Sequence, residues 1–182
     1  VIDVEQENLR EALKRVAVAL KEIGLPFALA GGYASWARGG PEPEHDVDFV
    51  VAEEDAPQVA SLLAERGFQV VQPPEDWLFK VFTDDVMVDV IHRDATIPAE
   101  RAMLADADHI EVISVVMPVL PATRLMVQKL HAMDERYCDF GRLMPVARAL
   151  REQVDWDVVR AETDDNAFAV AFLFLLERLS II

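Results

Sequence analysis

Cysteine is nearly absent. Cys138 stands alone, which excludes an internal disulfide and every multi-cysteine zinc motif. Long apolar runs are missing as well. A membrane-spanning helix needs about 20 consecutive apolar residues, and the nearest candidate, AFAVAFLFLLERLSII at 167–182, is interrupted by Glu177 and Arg178. It reads as a buried helix. The N-terminal stretch carries acids where a secretory leader would be basic and then apolar, so no signal is visible and a cytoplasmic location is the default expectation. Glycine is sparse, with 7 among 182 residues; with a hydrophobic content of 52% this argues for a folded chain. Positive charge is scarce too: 17 Lys and Arg stand against 33 Asp and Glu, a formal net charge of −16. Such a surface repels polyanions, which disfavours broad coating of DNA or RNA. A local basic strip holding one RNA end stays compatible with it. Carboxylates are also the ligands that hard cations prefer.

What is present falls into two halves. Residues 3 to 23 place Leu9, Leu13, Val16, Leu20 and Ile23 at three- and four-residue spacing, which predicts an amphipathic helix stopped by Gly24 and Pro26. PFALA (26–30) predicts a short strand ending at Gly31-Gly32, YASWAR (33–38) a short helix, and GGPEPEH (39–45) a loop. HDVDFVVA (45–52) alternates and then turns apolar, as an interior strand does. A helix over 55–66 is closed by Gly67. FQVV, LFKVF and VMVDVI follow as strands, with Asp84-Asp85 as the turn between the last two, and HIEVISVVM (109–117) adds another strand or two. After Pro118 and Pro121 helical spacing dominates, over 122–138, 142–152, 155–162 and 166–179. The expectation is an α+β catalytic half at 1–117 and a C-terminal helical half at 118–182 packed on it.

Three features carry chemistry. Asp46 and Asp48, spaced as Asp-x-Asp on the HDVDFVVA strand, project from the same face. Adjacent carboxylates on an apolar strand repel each other and lose hydration, and a cation between them removes both penalties. Two solvated acids at a strand end are the competing reading. Asp89 lies in the middle of the apolar VMVDVI strand, where a lone carboxylate is costly unless paired or metal-bound. If its strand neighbours that of Asp46, three carboxylates converge on a site suited to Mg²⁺ or Mn²⁺; pairing with Arg93 or Lys80 is the alternative. Gly31-Gly32, after a strand and before a helix, lets a ligand approach the backbone closely, although an ordinary turn would look the same.

The order strand, Gly-Gly, short helix, loop, Asp-x-Asp strand and third-Asp strand resembles the nucleotidyltransferase superfamily with the DNA polymerase β-like catalytic fold. Thirteen residues separate Gly32 from Asp46, and the resemblance covers residues 26 to 92. It implies a mixed β-sheet core flanked by helices, with Asp46, Asp48 and Asp89 as catalytic and metal-holding acids and Gly31 and Gly32 beside the nucleotide's phosphates. Many members carry Ser after the first Gly. Here Gly32 takes that place, which leaves phosphate contact to backbone N–H groups or to Ser35. The Gly-Gly form is similar to a subgroup containing small bacterial proteins and abortive-infection toxins.

Toxin-like members also carry a Lys on a helix after the catalytic domain, followed by an Arg and an Asp. The segment PATRLMVQKLHAMDERYCDF is similar, with Lys129 and Arg136 seven residues apart and Asp139 beyond them. The resemblance assigns Lys129 to the triphosphate, with Arg136 beside it; an ordinary polar helix face is the alternative. Arg38 is a further phosphate or base candidate, or else a surface residue, and His45 a supporting group next to Asp46. Trp36, Trp77 and Trp156 read as packing residues rather than base-stacking platforms. The implied activity is magnesium-dependent transfer of a nucleoside monophosphate from an NTP to a hydroxyl on a small molecule, a protein or a tRNA end. An antitoxin partner or a homodimer stays compatible with it. A nucleotide- or partner-binding module of the same fold without turnover is the competing class, and Asp89 in an apolar strand speaks against it. A phosphohydrolase lacks the expected histidines.

Overall fold

The computed structural model describes residues 4–84, 86–94 and 97–182. The chain opens with helix α1 (Val4–Ile23), whose Leu9, Leu13, Val16 and Leu20 are buried as their spacing demands. Strand β1 (Phe27–Ala30) is buried throughout, and helix α2 (Gly31–Ala37) starts directly from it. Strand β2 (Val47–Val51), a 3-10 turn at Glu53–Asp55 and helix α3 (Ala56–Glu65) follow. Next come β3 (Gln69–Val71), β4 (Leu78–Thr83) and β5 (Val86–Ile91), then the two-residue strands β6 (Arg93–Asp94) and β7 (Ile97–Pro98) and the short helix α4 (Arg101–Ala105). Asp85, half of the expected Asp84-Asp85 turn, lies outside the described residues.

Strands β8 (Asp108–Val112) and β9 (Val115–Val119) form a hairpin through Ile113 and Ser114, both at positive φ. That geometry suits a tight hairpin turn. β9 thus runs through Pro118 to Val119, two residues beyond the expected strand. The main sheet has seven strands in the order β3-β4-β5-β2-β1-β9-β8. It is mixed: β2 runs parallel to β5 and β1 parallel to β9, while the other pairs are antiparallel. The α+β class with a mixed sheet is the one expected.

Four helices follow: α5 (Ala122–His131), α6 (Phe140–Leu150), α7 (Trp156–Glu162) and α8 (Ala167–Arg178). The helix expected over 122–138 therefore stops early. The Asp134 carboxylate accepts from the Arg136 and Tyr137 backbone N–H groups at 2.7 and 2.9 Å, and Asp139 then caps α6 by accepting from Arg142 N. Asp side chains compete in this way with the helical pattern and turn the chain. Asp155 and Asn166 cap α7 and α8 similarly.

Two apolar clusters fill the molecule. The first joins the sheet to α1, α2 and α3 and reaches Leu125; the second gathers Met126, Leu130, Leu143, Leu150 and Phe172 among the last four helices. Helix α5 supplies side chains to both, so it seats the helical segment against the sheet. Trp36 and Trp156 pack against these clusters as expected. Trp77 differs: it is 37% exposed.

Candidate active site

The site is set by strand register. Across the sheet, Ala30 of β1 pairs with Asp48 of β2, Asp48 with Asp89 of β5, and Asp89 with Lys80 of β4. Residues opposite one another on neighbouring strands present side chains to the same face. The two carboxylates thus stand side by side, in a row that ends on an ammonium group.

The Asp48 carboxyl is pushed up to about 6 from an ordinary 3.8, first by burial and then by the charges of Asp89 and Asp46; Lys129 and a hydrogen bond from the Gly32 backbone oppose the shift. Burial also pushes the Lys129 ammonium down, against the pull of Asp48. The environment thus disfavours the charged forms of an acid and a base that attract each other.

Gly31 explains how Asp48 comes so close to the backbone. It sits at φ +60°, and a Cβ there would lie 1.8 Å from Asp48 Oδ2. Only glycine satisfies both the left-handed backbone and this approach. Gly32 has a packing reason of its own, since its Cβ would meet Pro43 Cβ at 2.7 Å.

Asp46 does not join β2. It is exposed and immediately precedes Val47, the first residue of the strand. Asp46 still bears on Asp48 electrostatically. Asp89 pairs with Lys80 at 3.0 Å, which is the ion pair weighed as its alternative fate. Arg93 turns elsewhere, to Glu53 and Asp76. Among the described residues no three His, Cys, Asp or Glu side chains stand at metal-ligand spacing. The Asp48–Asp89 pair nonetheless suits a hard divalent cation, because a half-buried carboxyl driven toward its neutral form by lost hydration and by two neighbouring acids gains most from added positive charge.

Beside this row lies a cavity of about 370 Å³. Gly31 and Asp48 line one part of it. Leu125, Gln128 and Lys129 supply another wall from one face of α5, with Ala132 just past its end. Trp77 and Ile91 also line it. Lys129 was legible from sequence as a cation for this place. Trp77, Gln128 and His131 join the cavity lining only through the fold. Nothing in their local pattern marks them, because the fold of β4 and α5 brings them together.

Three other candidates fare differently. Ser35 is 1% exposed and donates to the Gly31 carbonyl at 3.1 Å, so its hydroxyl serves the turn of its own helix. Arg38 is held by structure: it donates to Leu120 O at 2.7 Å, to Val119 O at 3.0 Å and to Asp108 at 2.8 Å, with its side chain 7% exposed. This guanidinium ties α2 to the end of β9. Arg136 sits in the turn after α5, exposed, and shares no helix face with Lys129 because α5 ends at His131. His45, the proposed supporting group, is exposed beside Glu44.

Replacing Arg38 therefore tests structure rather than ligand binding. Arg38→Ala removes charge-assisted bonds to two carbonyls and is expected to cost about 2–3 kcal/mol of stability, read from the urea midpoint at constant slope. Weaker nucleotide binding with an unchanged midpoint would return Arg38 to the site.

The family model described as "Uncharacterised nucleotidyltransferase" matches residues 1–180. No curated protein sequence matches this chain. Among solved structures, the crystal structure of ANT(2″)-Ia in complex with adenylyl-2″-tobramycin is similar, with a TM-score of 0.60, 15% identity, and coverage of 90% of this chain and 95% of that one. The solution structure of the antibiotic-resistance factor ANT(2″)-Ia gives a TM-score of 0.58 at 17% identity, covering 96% of this chain and 98% of that one. At these identities the likeness is one of fold.

Proposed function

Because this chain belongs to the uncharacterised nucleotidyltransferase family, we propose that it transfers a nucleoside monophosphate from an NTP to a hydroxyl-bearing acceptor at the Asp48–Asp89 row. The observation that supports this reading is the conjunction of that row with Gly31. Two carboxylates meet in register on neighbouring strands, and the one that is driven up to about 6 lies against a glycine that admits nothing larger. A structural role for Asp48 would not call for so costly a placement.

In the proposed reaction the acceptor oxygen attacks the α-phosphorus, the bond to the bridging α–β oxygen breaks, and pyrophosphate leaves. Asp89 accepts the acceptor's proton, and Lys80 orients it through their 3.0 Å contact. Lys129, on the α5 wall of the cavity, offsets the charge that builds on the leaving pyrophosphate. The backbone at Gly31 and Gly32 leaves room for the phosphates. Asp46, Asp48 and Asp89 would hold Mg²⁺ or Mn²⁺, which neutralises triphosphate charge and acidifies the acceptor hydroxyl.

A second reading, a nucleotide- or partner-binding module without turnover, has one observation in its favour: Lys80 already neutralises Asp89. One experiment separates the two. Protein, Mg²⁺ and each α-³²P-labelled NTP are combined with the protein itself, tRNA or small hydroxylated compounds as acceptor. Label that moves with wild type and stays put with the Asp46→Asn, Asp48→Asn variant supports transfer and identifies the acceptor class. Label that never moves while NTP still binds supports the silent module. Transfer onto a protein, with growth arrest on expression, would support the toxin form of the reading, in which an antitoxin binds this chain.

A further inference from the structure

The cavity beside Asp48 has a second part that the transfer chemistry leaves unused. Trp77, Ile91, Leu125 and Ala132 line it. Ile91 follows Asp89 by two residues on β5 and so lies on the same face of the sheet, further along the strand. Leu78 pairs with Ile91, which sets Trp77 at the head of β4 beside it. The indole is 37% exposed although it borders a cavity wall, and it belongs to neither apolar cluster. Its backbone, in contrast, is fixed: the Trp77 carbonyl accepts from His92 N at 2.9 Å and from Arg93 N at 3.2 Å. Asp76, the residue before it, is ion-paired with Arg93 at 3.2 Å. A large aromatic side chain on an anchored stretch of backbone is thus left partly exposed where it lines the cavity.

We propose that Trp77 is the stacking wall of a seat for a planar aromatic ring, carried by the nucleotide or by the acceptor. The proposal rests on the reading of this cavity as the transfer site and adds the class of ligand it takes. Stacking on an indole suits any flat π-surface, and the aliphatic side chains of Ile91 and Leu125 line the same cavity. Charge on the same walls argues against the other obvious acceptor chemistry. Asp48 is the one carboxylate lining this cavity among the described residues, and the Lys129 ammonium lines it too. A polycationic aminosugar, which has no ring to stack and needs several carboxylates, is poorly matched to such walls. A nucleobase or a hydroxylated aromatic compound is well matched.

The test compares wild type with Trp77→Ala and Trp77→Phe by calorimetry and by tryptophan emission, using four probes: inorganic tripolyphosphate, ATP, 4-hydroxyphenethyl alcohol and tobramycin. Trp77→Ala is expected to weaken a ring-bearing probe about tenfold, while Trp77→Phe, which keeps a stacking face, stays within about threefold of wild type. Tripolyphosphate affinity should not change in either variant. The wild-type emission should be quenched by the ring-bearing probe and not by tobramycin, and that quench should vanish in Trp77→Phe. A response to ATP assigns the ring to the nucleotide; a response to the hydroxyaryl alcohol assigns it to the acceptor. The proposal is overturned if no ring-bearing probe binds, if tripolyphosphate loses as much affinity as ATP, or if Trp77→Ala binds every probe as wild type does. Melting temperatures of the variants exclude a folding defect. Label transfer measured alongside separates the two readings: ring binding without transfer sinks the transfer reading alone, and transfer with Trp77-independent ring binding sinks the seat alone.

Discussion

Asp48→Asn is expected to abolish nucleotidyl transfer and, in metal-free buffer, to make the protein more stable. The activity loss should be on the order of 10³-fold or more, because the substitution removes preorganised charge at the reacting phosphates. The stability gain follows from linkage. The Asp48 carboxyl titrates at about 6 in the folded protein against an ordinary 3.8, so the folded state holds the proton more tightly than the unfolded state does. Between those two values the unfolded chain ionises first, and stability falls as pH rises through the window. Above it the penalty is constant, on the order of 3 kcal/mol for a shift from 3.8 to about 6. Asparagine has no charge to lose, but its buried amide still needs partners. A net gain of about 1–2 kcal/mol at neutral pH is therefore expected, which raises the melting temperature by roughly 2–8 °C for a chain of this size. The two proteins should match near about pH 5, where the ionisation penalty falls to the cost of the asparagine amide, and below that wild type should be the more stable. A variant that melts at or below wild type at pH 7 would overturn the account of Asp48 as a carboxylate that the fold holds back from ionising.

Divalent metal should invert that ranking. An ion bound only by the folded protein stabilises it, by about 2.7 kcal/mol at a hundredfold excess over its Kd. Wild type, with its charged Asp48, is expected to gain from Mg²⁺ what Asp48→Asn cannot. The crossing of the two melting curves reads out cation binding without reference to turnover. Equal Mg²⁺ shifts in both proteins would place the cation elsewhere.

The acids were legible because their cost is local. An aspartate in the middle of Val-Met-Val-Asp-Val-Ile is conspicuous in any fold, and so is a pair of acids ahead of a fully apolar strand. The mixed sheet was legible for the same reason, since each strand carries its own periodicity. Features created by assembly were hidden. Nothing in Arg38's neighbourhood shows that its guanidinium meets the carbonyls of residues 119 and 120. Nor does anything near Trp77 show that β5 and α5 will form a cavity around it. The early end of α5 was also missed. There the heptad-like pattern continues through Arg136, but the Asp134 carboxylate captures two backbone N–H groups and stops the helix. A local side-chain hydrogen bond outcompeted periodicity. Asp46 shows the same limit at strand β2, where alternation placed it on the strand and the strand begins one residue later.

Gly31→Ala is expected to be the most damaging single methyl group in the molecule. Two independent costs meet at this position. Its φ of +60° lies in the left-handed region, which costs a non-glycine residue about 1–2 kcal/mol. The added Cβ would also stand 1.8 Å from Asp48 Oδ2 and 2.7 Å from its Cγ, separations that no packing tolerates. Asp48 yields only by giving up its hydrogen bond from the Gly32 backbone. The expected result is a loss of about 3–4 kcal/mol, read from chemical unfolding, together with loss of transfer. A double-mutant cycle apportions the two costs. In an Asp48→Ala background the clashing carboxylate is gone and only Asp48 Cβ remains, 3.0 Å away. Gly31→Ala should then cost only the backbone part, about 1–2 kcal/mol, leaving a coupling of about 2 kcal/mol between the two positions. Additive effects would mean that Asp48 does not rest against Gly31, and the site as described would lose the contact on which its geometry turns.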